Sequence, residues 1–377
     1  MNRIQLLFIT ILFTVSCENT MLMTSAGGLK NLPVMDLILT QDDYLRLLEN
    51  KSNDLDVPVR ILYKNENVTA VIRASGAGSR YSPRWSYKVT LKNGSTVNNL
   101  TEFNISSQIM DPTMMYTTIA TRLYRLAGFE VFNSEHLFLR INNRDQGLFL
   151  FIERVEEPFF VERNLEIYEL YKSNGNSKFT FKEENNPQFD FEKKIPDDYN
   201  YNNLIELIHA VDTSASVALI QSLGKFLNIE NYIRYHALTT LINNPDAFNN
   251  NFFVFKKDKN SAFEFLPWDF DRCFERTADL GLYGKNALIE KILTSEAAFS
   301  LYKETLKYQL DHIFTAENMD PVIDSLATYI REGYNIDPYL GKGRYDLDEQ
   351  IVQLREFINN RIKHVSNDLA GFEFRED

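Results

Sequence analysis

Cysteine is nearly missing from this 377-residue chain, with Cys17 and Cys273 as its only two. A scaffold stapled by several disulfides is therefore excluded, and the fold must rest on its apolar core. Histidine is scarce as well. His136, His209, His236, His312 and His364 are the full set, and they form no metal-ligand spacing, which speaks against a histidine-built metal centre. Positive charge is also short: 40 Lys and Arg stand against 52 Asp and Glu, a net charge of −12. That balance argues against non-specific nucleic-acid binding. It fits a soluble protein outside the cytoplasm, acting on a basic, Ser/Thr-rich protein. No repeat and no bilayer-spanning apolar run is visible. Aromatic residues are plentiful, with 28 Phe and 19 Tyr. Large aromatic cores are expected, in a chain long enough for one large domain or two lobes.

The N-terminus is more specific. Asn2-Arg3 precedes a run from Ile4 to Val15 that is apolar apart from Gln5, Thr10 and Thr14. About a dozen apolar residues is too few to span a membrane and suits a leader peptide. Thr14-Val15-Ser16-Cys17 then places a small residue before Cys, as in a bacterial lipobox. Residues 1–16 read as a signal peptide, Cys17 as the lipidated first residue of the mature protein, and 17–33 as its tether. The expected location is extracytoplasmic, with membrane attachment only through the lipid on Cys17. An ordinary secretory leader cut near the same place is the alternative. Cys273 then lacks a disulfide partner and reads as a buried structural thiol. Sequons begin at Asn67, Asn93, Asn99 and Asn104; in a lipoprotein they are chance in an Asn-rich surface.

Along the chain, Val34 to Leu39 reads as a strand and Thr40 as the cap of a helix. Residues 57–63 and 68–73 alternate like a hairpin, with Asn65-Glu66-Asn67 at its turn. Arg73-Ala74-Ser75-Gly76-Ala77-Gly78-Ser79-Arg80 is a small-residue basic turn leading into a strand over 85–91. Its cations Arg73, Arg80, Arg84 and Lys88 stand out in an acidic chain, and such turns let backbone N–H groups approach phosphate. Asp111-Pro112 reads as a helix start with Pro in the first turn, running to Gly128. A second hairpin covers 136–141 and 148–154, with Glu153 at its end. Residues 182–200 read as a polar loop; 204–211, 216–241 and 297–369 read as helical. The expected class is α+β, a two-lobed layout like that of a protein kinase. A strand-rich lobe covers about 34–160 and a helical lobe about 161–369, with a nucleotide in the cleft between them.

The chemistry concentrates at Asn244-Pro245-Asp246-Ala247-Phe248-Asn249-Asn250-Asn251 and Pro267-Trp268-Asp269-Phe270-Asp271. Between them lie Phe252 to Phe255, a polar turn over 256–261, and Phe263 to Leu266. A hairpin there returns both ends to one edge, gathering Asp246, an Asn at 250 or 251, Asp269 and Asp271. Phosphoryl transfer needs a carboxylate to orient the attacking hydroxyl, plus an Asn and an Asp to hold Mg²⁺ against nucleotide phosphates. Protein kinases place those groups in the same order.

These stretches resemble the CotH kinase family of secreted atypical protein kinases. Leu32-Pro33-Val34, the 73–88 segment, Gln146-Gly147-Leu148 through Glu153, Leu170-Tyr171-Lys172, the Asp246 and Asn250-Asn251 loop, Pro267 to Asp271 and 354–361 carry the likeness. It covers roughly 32–365. The resemblance implies an ATP- and Mg²⁺- or Mn²⁺-dependent kinase acting on Ser or Thr of a secreted protein. It makes Asp246 the catalytic base and Asp269 with Asn250 or Asn251 the metal ligands, Asp271 close by. Lys88 meets phosphate, and Glu153 and Lys172 serve nucleotide binding. Two other functions use the same features: a kinase-like surface scaffold with little catalysis, and a metal-dependent phosphohydrolase.

Overall fold

Period-two alternation of apolar and polar residues builds the first sheet, in which seven strands close into a barrel. In the computed structural model, residues 29–375 are described, apart from 31, 51–53, 77–78, 176, 181–186, 278–279 and 285 and the side chains of 79, 188 and 189. The expected leader, Cys17, most of the tether, and Ala77 and Gly78 of the basic turn lie outside the described residues.

The barrel strands are β1 (Val34–Ile38), β2 (Val57–Tyr63), β3 (Glu66–Ser75), β4 (Ser86–Leu91), β5 (Glu102–Ser106), β6 (Ser134–Ile141) and β7 (Arg144–Glu153). Their order is β1-β2-β3-β4-β5-β7-β6, and β1 closes the ring by pairing in parallel with β6. Met35, Leu37, Ile61, Ile72, Val89, Phe103 and Phe151 fill the interior. A fully buried Phe or Leu here contributes on the order of 2 kcal/mol. Helix α1 (Gln41–Glu49) starts where expected, with Thr40 Oγ1 accepting from the Asp43 N–H at 3.1 Å. The first hairpin turns at Lys64-Asn65, because Tyr63 pairs directly with Glu66; the expected turn at 65–67 was too late. The second turns at Asn142-Asn143, with φ of +49° and +62°, a tight turn that Asn tolerates.

The helix expected at Asp111-Pro112 begins later, as α2 (Tyr116–Leu126). Asp111 is buried, and its carboxylate accepts from the N–H groups of Thr113 at 2.8 Å and Tyr116 at 2.7 Å. One side chain thus holds a whole turn ahead of the helix, displacing its start.

A second, four-stranded sheet follows. Helix α3 (Glu157–Glu162) leads to β8 (Glu169–Ser173), and the short α4 (Pro187–Asp190) to β9 (Phe191–Ile195). With β10 (Phe252–Lys256) and β11 (Glu264–Pro267), the order is β11-β10-β8-β9. β9 lies inside the stretch read as a polar loop; its charged Glu192-Lys193-Lys194 centre hides the alternation. The helices are α5 (Asn202–Thr213), α6 (Leu219–Leu223), α7 (Ile229–Leu241), α8 (Ala287–Leu293), α9 (Glu296–His312), α10 (Ala316–Ile336) and α11 (Leu347–Ala370). The single helix expected over 216–241 is broken into α6 and α7. Gly224 closes α6, and Asn228 caps α7 by accepting from the Asn231 N–H at 3.1 Å. Leu148, Leu150 and Ile152 on the barrel's outer face share one core with α7 and the second sheet. Among the described residues, no helix is long and apolar enough to cross a membrane.

A buried strut joins the barrel to the C-terminal helices. Asp337, just past α10, is fully buried. It accepts from the N–H groups of Leu148 at 2.6 Å, Tyr339 at 2.7 Å and Leu340 at 2.9 Å. It also pairs with Arg84 Nη1 at 3.3 Å, and the Arg84 guanidinium lies 4.5 Å from the Phe149 ring centre. Arg84 is therefore a structural cation rather than one of the basic turn's phosphate-facing groups. Gly147, at φ +99°, makes room for the carboxylate: an added Cβ would sit 2.1 Å from Asp337 Oδ2.

Candidate active site

The β10–β11 hairpin forms as the sequence suggests, and the Trp268 N–H donates to the Asn251 carbonyl at 3.1 Å across its open end. Asn251 and Asp269 both take left-handed backbone, at φ +57° and +55°, which Asn and Asp accept more readily than bulkier residues. Asp246 sits in a 3₁₀ turn, Pro245–Phe248, started by the Asn244 side chain accepting the Asp246 N–H at 3.2 Å. These elements set Asp246, Asp269 and Asp271 close enough to act on one another. Burial raises the proton affinity of Asp269; Lys172 opposes that and Asp246 adds to it. Asp271 is pushed well above the usual carboxylate range, by burial first and then by Asp269, Asp111 and Asp246. Asp111, missed as a member of this row, is pushed up to about 6 by burial. Its neighbour Pro112 made it look like a helix signal and nothing more.

The acids differ in their partners. Asp246 Oδ1 pairs with Arg272 Nη1 at 2.8 Å. Among the described residues, no cation lies within 4.0 Å of Asp269 or Asp271. Nor do three His, Cys, Asp or Glu side chains converge there to hold a metal unaided. Two half-buried carboxylates without a counter-charge suit a hard divalent cation that takes its other ligands from water and phosphate. Asn250 Oδ1 already accepts the Gly175 N–H at 3.0 Å. The Asn251 side chain makes no hydrogen bond among the described residues and stands at the strand end facing Trp268 and Asp269, so it is the better placed of the two.

Cations face this row. Tyr87 and Val89 point into the barrel, which turns Lys88 outward beside Arg73 on β3 and Asn104 on β5. Asn104 Oδ1 is buried with no hydrogen-bond partner. The Lys88 ammonium is pushed down to about 8 by burial, then by Lys172, Lys194, Arg154 and Arg73. Lys172, on β8, is lowered by burial and Lys194, and supported by Asp269. The barrel and the second sheet thus bring Lys88 and Lys172 together, and Lys172 in turn acts on Asp269. Lys194 and Arg154 were not anticipated. Lys194 lies on the hidden strand β9, paired with Glu192 at 2.6 Å, and Arg154 bridges Glu102 and Glu156. Arg73 and Arg80 line the rim, at 3.8 Å from Asp56 and 2.8 Å from Asp54 respectively.

Glu153 stands elsewhere. Arg163 donates to both its oxygens, at 2.8 and 2.7 Å, and the Asn133 N–H adds a bond at 2.8 Å. These bonds tie the end of β7 to α3. Cys273 is a buried thiol, as expected, pushed well above its usual range by burial and the neighbouring acids.

Lys88 gives a direct test of the cationic face. Loss of a charge-assisted bond to phosphate costs about 1.5–3 kcal/mol, so on the expectation that this face meets nucleotide phosphate, Lys88→Ala should weaken that binding at least about tenfold with the melting temperature unchanged. Only the protonated amine attracts phosphate, and its pKa of about 8 is depressed. Affinity should therefore fall as pH rises through 8, and Lys88→Arg should flatten that fall. Titration calorimetry at pH 7 and 9 reads both effects; wild-type affinity in Lys88→Ala would make it an ordinary surface lysine.

Comparison with known proteins gives one family: the family model described as CotH kinase protein matches residues 72–365. The inner spore coat protein H of Bacillus subtilis (strain 168) is 23% identical over 355 residues, spanning 90% of this chain and 98% of that protein. Among solved structures, the Helicobacter pylori proinflammatory kinase CtkA is 12% identical with a TM-score of 0.35, covering 75% of this chain and 93% of that one. A chain of the Shewanella oneidensis MR-1 toxin–antitoxin complex of HipA, HipB and operator DNA is 10% identical with a TM-score of 0.40. That match covers 89% of this chain and 73% of the other.

Proposed function

Since this chain belongs to the CotH kinase protein family, we propose that it transfers the γ-phosphoryl group of ATP to a Ser or Thr hydroxyl of a secreted or surface protein. The barrel serves as the N-terminal lobe and the helical half as the C-terminal lobe of an atypical kinase-like fold. The observation that carries this reading is Lys172 acting on Asp269, beside Asp246 and Asp271 at one hairpin mouth, with Lys88 next to Lys172. Lys88 and Lys172 neutralise phosphate oxygens, with Arg73 and Arg80 at the rim. Asp246 aligns the acceptor hydroxyl and takes its proton as the oxygen bonds to phosphorus and ADP leaves. Asp269, Asp271 and Asn251 would hold Mg²⁺ or Mn²⁺, which supplies charge stabilisation at the phosphates. The name of the Bacillus relative places that protein in a spore coat; a surface location here, through a lipid on Cys17, is the matching proposal.

The test is incubation of the purified protein with labelled ATP and Mg²⁺ or Mn²⁺. Nucleotide at a hundred times its dissociation constant should also stabilise the fold by about 2.7 kcal/mol. A thermal melt unmoved by Mg·ATP would point to the scaffold function instead. Asp269→Asn keeps the side-chain size and removes the charge. It should weaken metal-dependent nucleotide binding at least about tenfold and leave metal-free binding unchanged. Equal Mg·ATP affinity in that variant would remove Asp269 from the metal shell.

A further inference from the structure

The acidic row meets different cations along its length. Lys172 acts on Asp269, with Lys88 beside Lys172. Arg272 pairs with Asp246 and acts on Asp271. Beyond Arg272 opens a groove of about 430 Å³. Its floor includes Ile109 and Met110, which are 40% and 49% exposed, and Tyr345 at 46%. These apolar side chains leave surface open to an incoming one. Phosphoryl transfer sets the attacking and leaving oxygens roughly in line through phosphorus. With phosphate held by the lysines, the acceptor needs its own approach to Asp246, and the groove lined by Arg272, the partner of Asp246, borders that approach.

The groove's charges are unequally compensated. Glu275 bonds the Thr277 N–H and hydroxyl, at 3.0 and 2.7 Å, and lies 4.0 Å from Arg272 Nη2 as a second, looser partner. Nearby on α11, Asp346 caps the helix and Asp348 pairs with Arg331 at 2.7 Å. Glu349 is the remaining exposed acid of that first turn. Arg276, by contrast, bonds the neutral Gln353 side chain at 2.6 Å, and among the described residues no carboxylate lies within 4.0 Å of it. Arg272 and Asp246 are both about one-third exposed. A pair so open to water is worth only about 0.2–1 kcal/mol, so a competing carboxylate can draw Arg272 from Asp246.

We propose that this groove seats the acceptor polypeptide and that Arg272 and Arg276 read an acidic side chain flanking the acceptor hydroxyl. The inference rests on the kinase reading and gives it a substrate class opposite in charge to the basic protein suggested by composition. An apolar side chain of the acceptor covers Ile109 and Met110. Its carboxylate takes over Arg272, and the Asp246 oxygen so released faces the hydroxyl. Acidic acceptors therefore activate the base as they bind.

The test uses fluorescent Ser peptides with an apolar neighbour and Glu, Gln or Lys at flanking positions, titrated against the purified protein without nucleotide. The Glu peptide should bind about two- to fivefold more tightly than the Gln peptide. Arg272→Gln/Arg276→Gln should erase that difference and leave Mg·ATP affinity unchanged. Equal binding of Glu and Gln peptides, tighter binding of the Lys peptide, or a preference surviving in the double variant would overturn the assignment. A parallel Mg·ATP titration of the wild type separates the two ideas. Nucleotide binding without acidic preference sinks the groove's reading alone, whereas no nucleotide binding sinks the kinase.

Discussion

Asp246→Asn should lower turnover by about 10²- to 10⁴-fold while the dissociation constant for Mg·ATP stays within about twofold. Asn preserves the shape of the side chain and one acceptor oxygen for Arg272, so the 3₁₀ turn should persist. What it loses is the capacity to take a proton as the hydroxyl attacks. Aligning that hydroxyl matters more in the transition state than in the bound ground state. Steady-state kinetics beside a direct nucleotide titration reads the split. Equal losses of binding and turnover would move Asp246 among the metal ligands; unchanged turnover would remove it from the chemistry.

The second large effect concerns the strut. Gly147→Ala should destabilise the fold by at least about 3 kcal/mol. Two costs combine. Ala at φ +99° is strained, worth about 1–3 kcal/mol. Its Cβ would also overlap Asp337 Oδ2 at 2.1 Å, forcing the carboxylate off Arg84. Breaking a buried ion pair from one side costs about 3–5 kcal/mol, because the remaining charge stays buried. In a chain of this size the melting temperature should drop by at least about 4 °C. A calorimetric scan checks it, and a melt within about 2 °C of wild type would show that the strut yields at little cost.

The sequence revealed the features that are local. The β10–β11 hairpin was legible because four residues in a row, Phe252 to Phe255, are bounded by turn residues on both sides. The barrel hairpins were legible for the same reason, and Lys88's outward aim followed from its apolar neighbours. Features that depend on distant partners were hidden. Arg84 looked like one more basic-turn cation because its partner Asp337 lies 253 residues away. Glu153 looked available because nothing in its own strand announces Arg163. Asp111 read as a helix start because its neighbour is Pro. Its carboxylate instead reaches five residues ahead and its charge reaches Asp271, contacts that no period encodes. Lys194 was lost with β9, a short strand whose middle residues are all charged.

The pairing of β1 with β6 also bears on how this molecule can meet others. A closed barrel offers no row of unpaired backbone groups, so no foreign strand can extend it. The second sheet ends on β9, and there the Lys193 N–H donates to the Tyr201 hydroxyl at 3.1 Å while Glu192 and Lys194 flank it with charge. At its other margin, the Asn231 side chain accepts the Phe265 N–H at 2.7 Å. Both margins of that sheet are blunted as well. Among the described residues, contact with another molecule falls to side-chain surfaces and grooves rather than to strand addition.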